Sequence, residues 1–222
     1  MNATKSLLVM SCRLLLVRHG ETVDNVNKIM QGQTHGRLTL NGIEQARELG
    51  RKLRGEKIDV FLSSDLQRAV ETLEIIKRET KPTPNPSRGE GSLNTLSMET
   101  VSSEANQTPL PSGGVGGGLL LPLGRDRGVA LPLLRERDWG SFTGRYIPDL
   151  QNEVWPDDIE SLDAMKARSR QFLDYVRTHY QGKTVLAVGH GIINKAIQSV
   201  YTGKPMNEIP KMTNCEVRVL EL

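Results

Sequence analysis

Two histidines in this 222-residue chain sit where chemistry can happen. His19 ends the run Leu14-Leu15-Leu16-Val17-Arg18-His19-Gly20, and His190 ends Val185-Leu186-Ala187-Val188-Gly189-His190-Gly191. Each follows an unbroken apolar stretch and abuts glycine. That shared context separates them from His35, in a polar loop, and His179, near an expected helix end, which read as solvated surface. An imidazole can be a nucleophile, a proton carrier or a metal ligand. No H-x-H, H-E-x-x-H or acidic cluster accompanies either residue, and the neighbouring Arg18 repels a cation, so no metal is expected. Arg18, with Arg68 in the first turn of an expected helix, supplies fixed positive charge. Near the N–H donors and positive dipole end of that helix, Arg68 suits a phosphate. A buried arginine needs a partner. An anionic ligand and a structural carboxylate, such as Glu21 or Glu71, both meet that need.

The elements that position these residues follow from apolar spacing. A short apolar run bounded by turn signals reads as a strand buried on both faces, and in open α/β sheets the ligand crevice lies beyond the carboxyl ends of such strands. After the first strand, the stretch from Asn25 to Arg37 is polar and turn-rich. Thr39 is an expected N-cap for a helix carrying Ile43, Ala46, Leu49 and Leu53, closed by Gly55. Asp59 to Leu62 reads as a second strand. Ser63-Ser64-Asp65 is expected to cap a helix with Leu66, Ala69, Val70, Leu73 and Ile76 on its apolar face. Leu131 to Leu134 is a further strand expectation, and a long helix over Leu162 to Tyr180 is expected to turn Met165, Phe172, Leu173 and Val176 inward. The His190 strand leads into a helix over about Ile192 to Tyr201, and Val217, Val219 and Leu222 alternate as an edge strand. Strand-helix alternation is the cadence of an α/β domain.

One stretch breaks this cadence. Between Lys81 and Gly128, fifteen of forty-eight residues are Gly or Pro, a composition that buries too little apolar surface to offset the entropy of ordering it. Its glycines never satisfy G-x-G-x-x-G, so it is expected to be a flexible insertion rather than a phosphate cradle. Two of its phrases, Asn85 to Gly91 and Leu110 to Gly117, look like translated intergenic repeat DNA. Residues 1–11 read as a loose N-terminal extension, and 1–222 as one domain. The 29 basic and 26 acidic residues nearly balance, without the charge blocks that mark nucleic-acid or membrane binding. No apolar run approaches the ~20 residues of a membrane span. Cys12 and Cys215 are too few for a disulfide framework, and cytosol is the default location. Cys12 and Arg18 share the C-x5-R spacing of cysteine-dependent phosphatases, but a strand between them puts Cys12 at the wrong end.

Arg18-His19-Gly20-Glu21-Thr22 with Asn25 resembles the signature of the histidine phosphatase superfamily, in its phosphoglycerate mutase-like branch. The resemblance continues through Met30-Gln31-Gly32, Leu38-Thr39-x-x-Gly42, Ser63-Ser64-Asp65-Leu66-Gln67-Arg68-Ala69-x-x-Thr72, Leu134-Arg135-Glu136-Arg137-x-x-Gly140-x-x-x-Gly144 and Val188-Gly189-His190-Gly191. It implies a three-layer α/β/α sandwich with a mostly parallel sheet. It also implies His19 as a nucleophile forming a phosphohistidine, Glu136 as a proton donor with a raised pKa, and Arg18, Arg68, Asn25 and His190 as phosphoryl ligands. Gln31 is expected to contact substrate. Thr143 departs from the family, where many relatives carry Glu, and the 81–128 insertion enters a region that helps shape the substrate mouth.

The chain lacks the long substrate-positioning segments of true mutases. That absence favours a compact bacterial phosphatase acting on a small phosphomonoester without metal or cofactor, as a monomer or homodimer. A cofactor-dependent phosphoglycerate mutase and an inactive member that binds a phosphorylated ligand are the alternatives.

Overall fold

The computed structural model of the protein describes residues 11–81, 121–122 and 128–222. Strand β1 (Arg13–Arg18) is buried along Leu14 to Val17. Successive strand residues point to opposite faces. Leu14 and Leu16 therefore join Phe172, Leu173, Val176 and Ile193 in one core, while Leu15 and Val17 join Ala46, Leu49, Leu73 and Ile76 in another. Two cores on two faces explain why the run has no polar interruption.

Helices α2 (Leu40–Lys52) and α3 (Gln67–Thr80) supply the second core, and α4 (Leu162–His179) and α5 (Gly191–Thr202) the first. The result is the three-layer α/β/α arrangement. Between the helix layers lies a six-stranded sheet in the order β3-β4-β2-β5-β1-β6. Strands β2 (Val60–Ser63), β4 (Val129–Ala130) and β5 (Thr184–Gly189) run parallel with β1, and β3 (Leu121–Pro122) and β6 (Val217–Glu221) lie antiparallel at the edges.

Thr39 caps α2 as expected, its hydroxyl accepting from the Gly42 N–H at 2.9 Å. The α2 start packs directly on the turn after His19. A Cβ on Gly20 would lie 2.5 Å from the Gly42 carbonyl oxygen, and one on Gly42 would lie 2.1 Å from that of Glu21. Both glycines are small because backbone meets backbone there.

Several expectations are corrected. Leu131 to Leu134 is not a strand: pairing stops at Ala130, and Pro132–Leu134 forms a 3-10 turn, since a proline has no N–H to extend a ladder. The N-cap of α3 is Leu66, with no side-chain cap bond; the Ser64 hydroxyl instead accepts from the Leu66 N–H at 3.2 Å. Within the polar 25–37 stretch lies the end of a short helix, α1 (Val23–Val26), opened by a capping box between Thr22 and Asn25. In β6, Val219 is 48% exposed and Leu220 is buried, because an edge strand is covered unevenly on its two faces. Of the expected 81–128 insertion, Leu121–Pro122 pairs with β4 as β3. Residues 82–120 and 123–127, and all but the last residue of the 1–11 extension, lie outside the described residues.

Candidate active site

Parallel pairing of β1 with β5 places Arg18 level with Gly189, so both histidines emerge at one sheet edge. The His19 N–H donates to the Gly189 carbonyl at 3.1 Å, and the two rings lie 5.0 Å apart. Nδ1 of His19 is 2.7 Å from the Gly20 carbonyl oxygen. A carbonyl only accepts, so Nδ1 carries the ring proton and Nε2 keeps its lone pair. Arg68 Nε agrees with this tautomer, donating to His19 Nε2 at 3.3 Å and to His190 Nδ1 at 3.1 Å. The proton of His190 then sits on Nε2, a buried atom with no partner among the described residues. Burial, followed by the charges of Arg68 and Arg18, holds His19 well below the ordinary imidazole range. Burial and Arg68 do the same to His190. Both rings are neutral at neutral pH.

Arg68 is 1% exposed. Its guanidinium donates to the carbonyls of Gly32 at 2.8 Å, His35 at 3.3 Å and Thr34. Burial pulls its pKa down to about 10, which leaves it charged at neutral pH. Arg18 donates through Nη1 to the Met212 carbonyl at 2.7 Å, while its buried Nε has no partner. Among the described residues neither arginine has a carboxylate within salt-bridge distance. Glu21 accepts from the Thr39 hydroxyl and Glu71 from the Gln67 amide. The structural-carboxylate alternative is thereby replaced by loop carbonyls. The expected use of the α3 N-terminus is corrected too: the Arg68 N–H goes to the His35 carbonyl, and that of Gln67 lies 3.4 Å from His35 Nδ1. Only the Arg68 side chain reaches the cleft.

Glu136 faces the histidines from a segment without regular structure, and two arginines hold that segment. Arg135 forms a forked pair with Asp65, at 2.8 and 3.0 Å from Nε, and this tie anchors the segment to the start of α3. From α4, Arg168 donates to the carbonyls of Leu133, Arg135 and Glu136 at 2.9, 2.7 and 3.2 Å, and pairs with Glu160 at 2.7 Å. The Glu136 carboxylate accepts from the N–H groups of Arg137, Ile192 and Ile193 at 2.8 to 3.2 Å. It is seated on the α5 N-terminus, where a helix favours negative charge.

His19, Arg18, Arg68, Glu136, Asn25 and Gln31 all line one cleft of about 280 Å3, and His190 lies behind them, fully buried. Asn25 Oδ1 accepts from the Thr22 N–H, and Gln31 joins the Thr22 hydroxyl to Asp24. Gln31 thus shapes the loop as well as lining the cleft. Five residues escaped the sequence reading: Asn214, which donates to the His19 carbonyl at 3.0 Å, Arg168, Lys211, Ile29 and Ile147. They occupy helix and connecting segments with no motif of their own. Trp139, inside the Glu136 motif, also walls the cleft.

The sequence matches the histidine phosphatase superfamily (branch 1) over residues 14–107 and 126–222. The chain belongs to that superfamily. It is 27% identical to the uncharacterized phosphatase PhoE of Bacillus subtilis over 204 residues, 90% of this chain and 82% of that protein. It is 29% identical over 219 residues to a 2,3-bisphosphoglycerate-dependent phosphoglycerate mutase of Methylorubrum extorquens, covering 90% and 83%. The fold is shared with YhfR of Bacillus stearothermophilus (TM-score 0.68, 22% identity, 94% of this chain and 90% of that one). In this histidine phosphatase Glu136 lines the same cleft as His19, Arg18 and Arg68. Thr143 packs against Gly32, where an added Cβ would lie 2.9 Å from the threonine hydroxyl. Among the described residues no helix is long and apolar enough to cross a membrane, and no group of three or more His, Cys, Asp or Glu is placed to hold a metal ion.

Proposed function

We propose that this histidine phosphatase hydrolyses a small phosphomonoester through a phosphohistidine on His19. The observation that carries the reading is the His19 tautomer: Nδ1 is tied to the Gly20 carbonyl, which leaves the lone pair on Nε2, here accepting from Arg68 Nε, in a ring that lines the cleft with Arg18 and Arg68. Nε2 attacks phosphorus, the ester P–O bond breaks, and the leaving oxygen takes a proton from Glu136. Splitting the displacement into two steps is the usual gain of covalent catalysis. In the second step Glu136, now a carboxylate, takes a proton from water, which attacks phosphorus and returns the bonding pair to Nε2. Arg18, Arg68, Asn25 and the unpartnered His190 N–H are the donors we assign to the phosphoryl oxygens, where charge builds in transit. Positive charge around the nucleophile makes a metal dispensable, and one domain, running from β1 to β6, carries the whole site.

The test is rapid quench of the enzyme with p-nitrophenyl phosphate under conditions that preserve N–P bonds, read by mass spectrometry. A phosphoryl group on His19, its loss in His19→Ala, and turnover unaffected by EDTA are expected. Turnover without any His19 adduct, or strict dependence on a divalent ion, would overturn the reading. Conversion of 3-phosphoglycerate to its 2-isomer with a trace of 2,3-bisphosphoglycerate, faster than phosphate release, would replace it with the mutase.

A further inference from the structure

The cleft charges do not balance on the phosphoryl group alone. Its charged lining consists of Arg18, Arg68, Lys211 and Glu136. When a phosphoryl dianion is bound and Glu136 holds its catalytic proton, three cations face two negative charges. The surplus belongs to Lys211. Arg18 sits beside His19 in sequence, and Arg68 touches both imidazoles. Lys211 is exposed and, like Arg18, stands where the cleft meets an adjoining chamber of about 570 Å3.

The backbone around Lys211 is fixed by the site itself. Ile209 and Met212 on either side are buried, at 5% and 1% exposure. The Met212 carbonyl takes the Arg18 bond, and Asn214 holds the His19 carbonyl. The lysine is thus an exposed cation on an anchored stem. Among the described residues no carboxylate lies within salt-bridge distance of it. Of the remaining lining, Ile29, Met30, Trp139 and Ile147 are apolar or aromatic and offer no competing charge.

We infer that Lys211 is a specificity residue that binds a second anionic group, carboxylate or phosphate, carried by the leaving alcohol of the substrate. This rests on the phosphomonoesterase reading of the same cleft. A negative leaving group completes the charge balance, and the apolar wall packs its short carbon skeleton. Past Lys211 the adjoining chamber carries both signs, with Lys28 beside Glu21 and Asp24, so the lysine is the cation that bounds the cleft on that side.

The experiment compares esters differing only in that charge. The carboxylate arm is 2-phosphoglycolate against 2-hydroxyethyl phosphate, and the phosphate arm is fructose 1,6-bisphosphate against fructose 6-phosphate. One charge-assisted contact at a partly exposed site predicts a preference of about tenfold in kcat/KM for the doubly anionic member. The arm showing it names the group. The ratio should fall to near one in Lys211→Met and below one in Lys211→Glu. Calorimetric binding of the same pairs to His19→Ala protein reports the preference without turnover. Hydrolysis with no charge preference in either arm, or a ratio unmoved by both Lys211 variants, overturns the inference and leaves the hydrolase reading intact. A Lys211-dependent binding preference without any hydrolysis does the opposite.

Discussion

Arg168 touches neither imidazole nor the Glu136 carboxylate, yet it should control proton delivery to the leaving group. Its guanidinium collects the carbonyls of Leu133, Arg135 and Glu136 while paired with Glu160, both partners being largely buried. Replacing Arg168 by Met keeps the stem and removes every one of these bonds. Breaking such a buried pair costs about 3–5 kcal/mol of stability, so assays belong well below the melting point. The kinetic consequence follows from geometry. A catalytic group misplaced by about 1 Å can lose ~10²-fold, or about 2.7 kcal/mol of barrier, and a positioned proton donor is itself worth ~10²–10⁴-fold. The loss must depend on the leaving group. An alkoxide needs the Glu136 proton, whereas p-nitrophenolate leaves readily without it. Arg168→Met should therefore lower kcat on an alkyl phosphate by roughly 10²-fold and on p-nitrophenyl phosphate by roughly tenfold or less. Arg168→Lys should recover part of the difference. Equal losses on both esters would mean general damage to the fold, and the positioning role would have to be abandoned.

Two further outcomes follow from the same packing. Because both site histidines are held neutral by burial, the unfolded chain binds more protons than the native one below pH 6.5, so stability is complete above that value and falls as pH drops through it. The loss should be about 1.4 kcal/mol per histidine at pH 5.5, ~3 for the pair, and urea midpoints from pH 7.5 to 5.5 should show the slope weakening in the His19→Gln, His190→Gln double variant. An unchanged slope would contradict neutral burial. Gly42→Ala would push a Cβ into the Glu21 backbone at 2.1 and 2.8 Å, so it should cost about 1–3 kcal/mol and depress kcat by moving the Gly20 carbonyl that orients His19. Thermal unfolding with steady-state kinetics checks this, and a variant matching the parent in both would show that the close approach is unimportant.

What could be read from the sequence was whatever depends on local pattern. The two-faced burial of β1 and β5 shows in their unbroken apolar runs, and the capping of α2 shows in Thr39. His19 and His190 announce themselves because a strand end and a glycine fix their location as well as their type. Glu136 could be found only through resemblance, since it sits on an irregular segment whose conformation is imposed by Asp65 and Arg168 from afar. Leu131 to Leu134 misled for a related reason: apolar content signals burial, but Pro132 decides that the buried piece is a turn. Lys211 and Asn214 were invisible, because nothing in their neighbours says that the connection between α5 and β6 folds back over the Arg18 side chain. Periodicity identifies elements; it does not report which loops the packed elements bring together.

The two cleft arginines illustrate how much that matters, for composition treats them as equivalent and the hydrogen bonds do not. A guanidinium has five N–H donors. In Arg68 the Nε proton is shared between two imidazoles, Nη1 serves the carbonyls of Thr34 and His35, and Nη2 serves Gly32, which leaves one donor uncommitted. In Arg18 only Nη1 is engaged, once, by Met212 among the described residues, so four donors remain there. A phosphoryl group in this cleft would therefore draw most of its arginine hydrogen bonds from Arg18. Arg68 contributes mainly by charge and by clamping the 32–35 loop against the histidines. Two residues of one type thus contribute unequally, Arg18 as the main donor and Arg68 with a single free donor beside its clamping role, and the division is set by which carbonyls the fold delivers to each.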